Sequence, residues 1–155
     1  MDGIVNVMKP AGMTSHDVVA KLRRVYHTKK VGHTGTLDPD AIGVLPICVG
    51  QATRLVEYFT EKDKTYKVIM KFGNETTTQD SSGEVTITTE LPTLSKAEFC
   101  AVTEQFIGEI QQVPPMYSAI KKDGQPLYKL AREGVEVEIE PRPVTIHGIK
   151  VLMYN

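Results

Sequence analysis

Gly32-His33-Thr34-Gly35-Thr36-Leu37-Asp38-Pro39 is the stretch on which the reading of this chain turns. Its two glycines let the backbone take positive φ or pass close to a partner. Pro39 biases Asp38 away from helical dihedrals and holds its carboxylate on a stiff, extended piece of chain. Leu37 supplies an apolar side chain that can anchor the loop to the core beside it. A carboxylate fixed this way on a loop is a candidate catalytic group. The competing reading is an Asp that caps a turn or a following helix, since Asp-Pro commonly initiates turns. The eight residues leave both open.

Outward from this stretch, residues 27–43 carry Gly32, Gly35, Pro39 and Gly43 with no sustained period, which predicts a loop. Before it, residues 3–8 predict a short strand ending at Lys9-Pro10. Thr14 or Ser15 caps a helix whose stripe is Val18, Val19, Leu22 and Val25. After it, residues 44–49 predict a buried strand, 52–59 a short helix and 66–72 a strand, followed by a polar stretch over 73–83. Ser95 and Glu98 form a capping box ahead of Phe99, Val102 and Phe106, with Gly108 closing that helix. Asp123-Gly124 marks a turn, Pro126 a helix start and Gly134 its end. Residues 135–140 and 144–153 alternate like strands. Strands and helices in this irregular order predict an α+β domain, with a mixed, largely antiparallel sheet flanked by helices. The strand pattern still runs at residues 151–155, so the sheet is expected to be incomplete there.

Composition narrows the class. The chain has 155 residues, 41% of them hydrophobic and 24% charged, as in an ordinary globular domain. No apolar run nears the ~20 residues of a membrane helix, and the first residues lack the pattern of a secretory signal. Cys48 and Cys100 stand alone, without zinc-ligand spacing, and read as reduced thiols. A cytoplasmic protein without a metal site is expected. Net charge is −1, yet residues 9–33 hold six Lys or Arg (Lys9, Lys21, Arg23, Arg24, Lys29, Lys30) against Asp17, with His16, His27 and His33 among them. Such a stretch is either a face that meets phosphates or a solvated helix surface, and charge alone does not decide.

The central motif, followed by Gly43-Val44-Leu45-Pro46 and Gly50-Gln51-Ala52-Thr53-Arg54, resembles that of the bacterial tRNA pseudouridine-55 synthase family. The resemblance extends to Lys9-Pro10-Ala11-Gly12-Met13-Thr14-Ser15, Lys64-Thr65-Tyr66, Pro114-Pro115-Met116-Tyr117-Ser118-Ala119 and Leu127-Tyr128, and on through Ala131-Arg132-Glu133-Gly134. It implies the pseudouridine synthase fold, incomplete at the C-terminus, with residues 1–155 forming the N-terminal portion of the catalytic domain. It also implies an isomerase that converts uridine 55 in the T arm of tRNA to pseudouridine, with base flipping and covalent attack by Asp38 at C1′ or C6. An ordinary Asp is ionised at neutral pH and suits that role. By the same resemblance Tyr66 stacks on the flipped base and moves a proton, and His33 fills the space that the nucleotide leaves. Lys9 and Arg54 meet the RNA backbone or support the loop. No cofactor, metal or obligate protein partner is implied; the partner is tRNA.

Two departures accompany the resemblance. The family's Lys-Gly-Thr-Tyr-type segment, with the arginine that pairs with the aspartate, is not among these residues, and neither is the C-terminal RNA-binding domain. The alternatives are a guide-RNA-dependent pseudouridine synthase and a non-catalytic tRNA-binding module. A carboxylate-based hydrolase ranks last, because no second acid or metal constellation stands near Asp38 in the sequence.

Overall fold

The computed structural model describes residues 1–155 apart from Pro92, Ala119, Asp123 and Glu136. It divides into two compact units, Met1–Lys67 and Val68–Asn155.

The first unit is built on three antiparallel strands, β1 (Gly3–Lys9), β2 (Val31–His33) and β3 (Gly43–Val49), in the order β1-β3-β2. Alternation along β3 turns Leu45, Ile47 and Val49 to one face, where helix α1 (Ser15–Val25) covers them with Val18 and Val19. Val31 from β2 completes that core, and Val7, Met13, Leu22, Tyr26 and Leu37 pack around it. A 3₁₀ turn (Gly50–Leu55) and α2 (Val56–Thr60) follow β3.

Helix α1 starts on a full capping box. The Thr14 hydroxyl accepts from the Asp17 N–H, and the Asp17 carboxylate accepts from the Thr14 N–H and hydroxyl. These bonds from Thr14, side chain first, hold the Asp17 pKa below the ordinary carboxylate value. The helix ends in a Schellman pattern, with Thr28 N bonding Arg23 O and His27 N bonding Arg24 O. The left-handed position falls on His27, at φ 50°, where glycine is usual.

In the second unit, β4 (Asn74–Thr76) pairs with β5 (Val85–Thr88) as a hairpin, and α3 (Lys96–Glu104) carries the Ser95–Glu98 capping box. Strand β6 (Gly108–Gln112) pairs antiparallel with β9 (Arg142–Ile146), and β7 (Lys121–Lys122) with β8 (Gln125–Pro126). Helix α4 (Leu127–Arg132) buries Leu127. It closes with Gly134 at φ 72°, Val135 N bonding Leu130 O. Phe72, Phe99 and Tyr154 form an aromatic row, and the Tyr154 hydroxyl donates to the Leu94 carbonyl.

The α+β class holds, and every pairing among the described residues is antiparallel. Several local expectations change. Val25 is exposed, and Tyr26, the next residue, packs on the core instead. The stretch 27–43 is not all loop: Val31–His33 takes the free edge of β3, a three-residue strand too short to show a period. Residues 66–72 alternate like a strand, yet no strand pairs with them among the described residues, and Val68 and Ile69 are exposed. Periodicity marks a strand-forming segment, but a ladder needs a neighbour's N–H and C=O groups. Helix α3 ends at Glu104, ahead of Gly108, which instead opens β6 at φ 107°. Of the second alternating stretch only residues 144–146 are in a strand, as the end of β9. The described part of 135–140 forms none, and Glu136 lies outside the described residues. Helix α4 starts at Leu127 as expected, with Pro126 as its N-cap. Lys122 pairs with Gln125 around the expected turn, whose Asp123 lies outside the described residues, as does Ala119 of the proline-rich motif.

Candidate functional site

The loop between β2 and β3 is held by polar groups taken out of water. Three polar residues are buried among the described residues, namely Lys9, Ser15 and Thr34, and each bonds to this loop or from it. Burying such groups is unfavourable unless their hydrogen bonds are made, so their convergence on one loop specifies its shape.

Lys9 ends β1 and is wholly buried. Its ammonium donates to the carbonyls of Met13 (2.6 Å), Pro10 (3.0 Å) and Pro39 (3.1 Å), which uses all three of its N–H bonds. The Pro39 carbonyl also accepts from Gly12 N at 2.9 Å, and Gly12 makes that approach at φ 78°. On the other side of Asp38, Ser15 Oγ accepts from Leu37 N and donates to Leu37 O. Thr34 bonds the Pro46 carbonyl through both its N–H and its hydroxyl. Leu37 packs on the core as expected, its Cδ1 3.4 Å from where a Cβ on Gly43 would stand.

Asp38 sits between two braced neighbours. Its backbone carbonyl accepts from Ala41 N at 3.1 Å, closing a turn with Pro39 at its second position. The turn-forming reading is therefore realised by the backbone, while the carboxylate stays exposed. It makes no hydrogen bond or ion pair among the described residues. Neither loop glycine takes positive φ; Gly32 allows a close approach instead, while Gly35 has room for a side chain's first carbon. A Cβ on Gly32 would meet Val56 Cγ2 at 3.3 Å, and one on Gly35 would meet Lys64 Cε at 3.9 Å. Lys64 is thus laid against the Asp38 loop, two residues before Tyr66, with its ammonium bonded to the carbonyls of Thr60 and Lys62 at 2.7 Å.

The other expected site residues are placed unequally. Tyr66 is exposed, on an irregular segment rather than a strand. Arg54 is exposed and lines a hollow made by residues 53–58, which includes neither Asp38 nor Tyr66. Lys9 offers no surface to an RNA phosphate; its burial and bonds make it a support of the loop. Lys21, Arg23, Arg24, Lys29 and Lys30 are the exposed members of the basic stretch. His33 is half-buried, with its ring edge-to-face against His16. Burial lowers the His33 pKa, the Gly35 backbone works the other way, and the nearby His16 lowers it further. Sequence reasoning assigned Ser15 only a possible capping role and His16 none. Both contacts join residues 17 to 22 positions apart, for which no periodicity gives a signal. No group of three His, Cys, Asp or Glu suited to a metal occurs among the described residues, and no helix there is long and apolar enough to cross a membrane.

The N-terminal domain of the TruB family of pseudouridylate synthases matches residues 23–155. The chain is 50% identical over 155 residues to the tRNA pseudouridine synthase B of Caldanaerobacter subterraneus subsp. tengcongensis, covering all of the chain and 54% of that relative. It is 53% identical to the protein of the same name from Symbiobacterium thermophilum, covering all of the chain and 52% of the relative. For that of Listeria monocytogenes the identity is 52%, over 96% of the chain and 49% of the relative. The chain thus spans about half the length of these curated relatives. Among solved structures, a Cbf5-Nop10-Gar1 complex matches at TM-score 0.60 and 28% identity, over 99% of the chain and 36% of the matched chain.

Proposed function

The chain belongs to the TruB family of pseudouridylate synthases, and from that premise we propose that it carries the nucleophile of a cytoplasmic isomerase converting uridine 55 in the T arm of tRNA to pseudouridine. One observation carries the reading: Asp38 presents an exposed, unpaired carboxylate between two neighbours whose backbones are held by Lys9 and Ser15. A nucleophile gains from such placement, because the geometry of attack is set before substrate arrives.

In this reading Asp38 attacks the flipped nucleoside, at the ribose C1′ or at C6 of the uracil. The C1′–N1 bond breaks, the uracil turns, a C1′–C5 bond forms, and the bond to Asp38 is broken again to free the carboxylate. C5 loses its proton and N1 gains one, so the reaction is an isomerisation without redox change and asks for no cofactor or metal. Tyr66 offers the base a flat face and a phenol for proton transfer. His33 enters the gap left in the RNA, and Arg54 meets the backbone together with the exposed basic residues of α1 and the turn after it. By the family resemblance the arginine that pairs with the aspartate belongs to a segment not among residues 1–155, and these residues supply the nucleophile.

A stand-alone enzyme is preferred over a guide-RNA-dependent one. Relatives named tRNA pseudouridine synthase B are 50 to 53% identical, against 28% for a protein solved in complex with Nop10 and Gar1. The deciding experiment uses the full-length protein and a T-arm stem-loop tritiated at uridine C5, with no other protein or RNA. Release of tritium by wild type and none by Asp38→Asn is expected. Turnover by Asp38→Asn would remove Asp38 from the mechanism, and dependence of wild type on added partners would favour the guided alternative.

A further inference from the structure

His16 stands in the first turn of α1, and His33 ends β2. Their ring centroids are 6.2 Å apart and their planes meet at 80°. This is the edge-to-face arrangement that aromatic rings favour at separations of roughly 4.5–7 Å. His16 is exposed on its helix, whereas His33 is half-buried, and its Nδ1 lies buried without a hydrogen-bond partner among the described residues. The Gly35 backbone and the edge-to-face His16 ring are then the directional contacts of the His33 ring.

We propose that His16 is a positioning residue for RNA binding, fixing the orientation in which the His33 ring is presented to the substrate. The inference rests on the reading of His33 as RNA-facing. Two physical consequences agree with it. Protonating His33 would place a charge on a half-buried ring, which burial disfavours more than the Gly35 backbone favours it. His16 opposes that protonation through its own charge. Asp17 and Lys21, on the same helix, bear on each other, and Asp17 on His16. The ring offered to RNA is then neutral and planar, and it can enter a gap between bases without desolvating a full charge.

The test compares wild type, His16→Asn, His16→Phe and His33→Ala in the intact protein. T-arm stem-loop affinity is measured across pH, and the His33 ring signals are followed by NMR. His16→Asn removes both ring and charge. It should weaken binding by about fivefold near neutral pH and move the His33 titration upward. His16→Phe keeps the ring and loses the charge. It should restore the affinity while leaving the His33 titration displaced upward, a split that a merely structural role would not produce. Wild-type affinity in His16→Asn, or binding by His16→Phe as weak as in His16→Asn, overturns the inference. Wild-type affinity in His33→Ala instead sinks the RNA-facing reading of His33 on which it rests.

Discussion

The hydroxyl of Ser15 holds both backbone atoms of Leu37, accepting from its N–H at 2.9 Å and donating to its carbonyl at 3.2 Å. Ser15 is the first residue of α1, so the helix grips the loop at the residue immediately before Asp38. Two residues later the ammonium of Lys9, from the end of β1, takes the Pro39 carbonyl. The carboxylate is thereby suspended between a helix and a strand that both belong to one core. Its position follows from packing, and its own side chain needs no partner to keep it there.

Ser15→Ala should cost about 1–3 kcal/mol of stability, because it removes a buried hydroxyl that makes two hydrogen bonds to the half-buried Leu37. In the full-length enzyme it should lower kcat more than it raises KM, since the group displaced is the reacting one. Urea denaturation and steady-state kinetics read the two effects. Wild-type stability would show that the double bond to Leu37 contributes nothing net.

Lys9→Met should also destabilise by about 1–3 kcal/mol, with the carbonyls of Met13 and Pro10 losing a buried charged donor. Lys9→Arg should not rescue it, because a planar guanidinium cannot replace a compact three-donor ammonium enclosed by three carbonyls. Equal midpoints for Arg and wild type would contradict this account of the pocket.

Tyr66→Leu should change stability by no more than about 0.5 kcal/mol, since Tyr66 is 66% exposed and sits in no strand ladder. Its effect on turnover should be far larger, while Tyr66→Phe separates the ring from the hydroxyl. A stability loss above ~2 kcal/mol in the full-length protein, with turnover unchanged, would make Tyr66 a packing residue.

His27→Gly should stabilise the chain or leave it unchanged. The left-handed conformation costs an L-residue roughly 1–2 kcal/mol, and glycine adopts it freely while losing about 0.5–1 kcal/mol to greater unfolded-state entropy. Position 27 terminates α1 and makes no side-chain hydrogen bond to the Asp38 loop among the described residues, so activity should not follow the change. A clear loss of stability would mean that the imidazole itself holds the end of the helix.

Much of this protein could be read without coordinates, because it is written in local terms. The Thr14 and Ser95 capping boxes, the apolar run of β3, the anchoring Leu37 and the Asp-Pro turn each depend on residues a few positions apart. The motif around Asp38 likewise pointed to its family before any contact was known. Contacts across long separations decided the rest. Ser15 reaches Leu37 over 22 positions and Lys9 reaches Pro39 over 30, and neither distance leaves a periodic trace. Lys9 illustrates the difference most plainly. Its sequence neighbours leave open a cation that meets phosphate and one that supports the loop, and only the convergence of three carbonyls on one buried ammonium makes it a brace. Residues 66–72 show the converse: their alternation predisposes them to a strand, but a strand exists only where another backbone lies alongside to receive its hydrogen bonds.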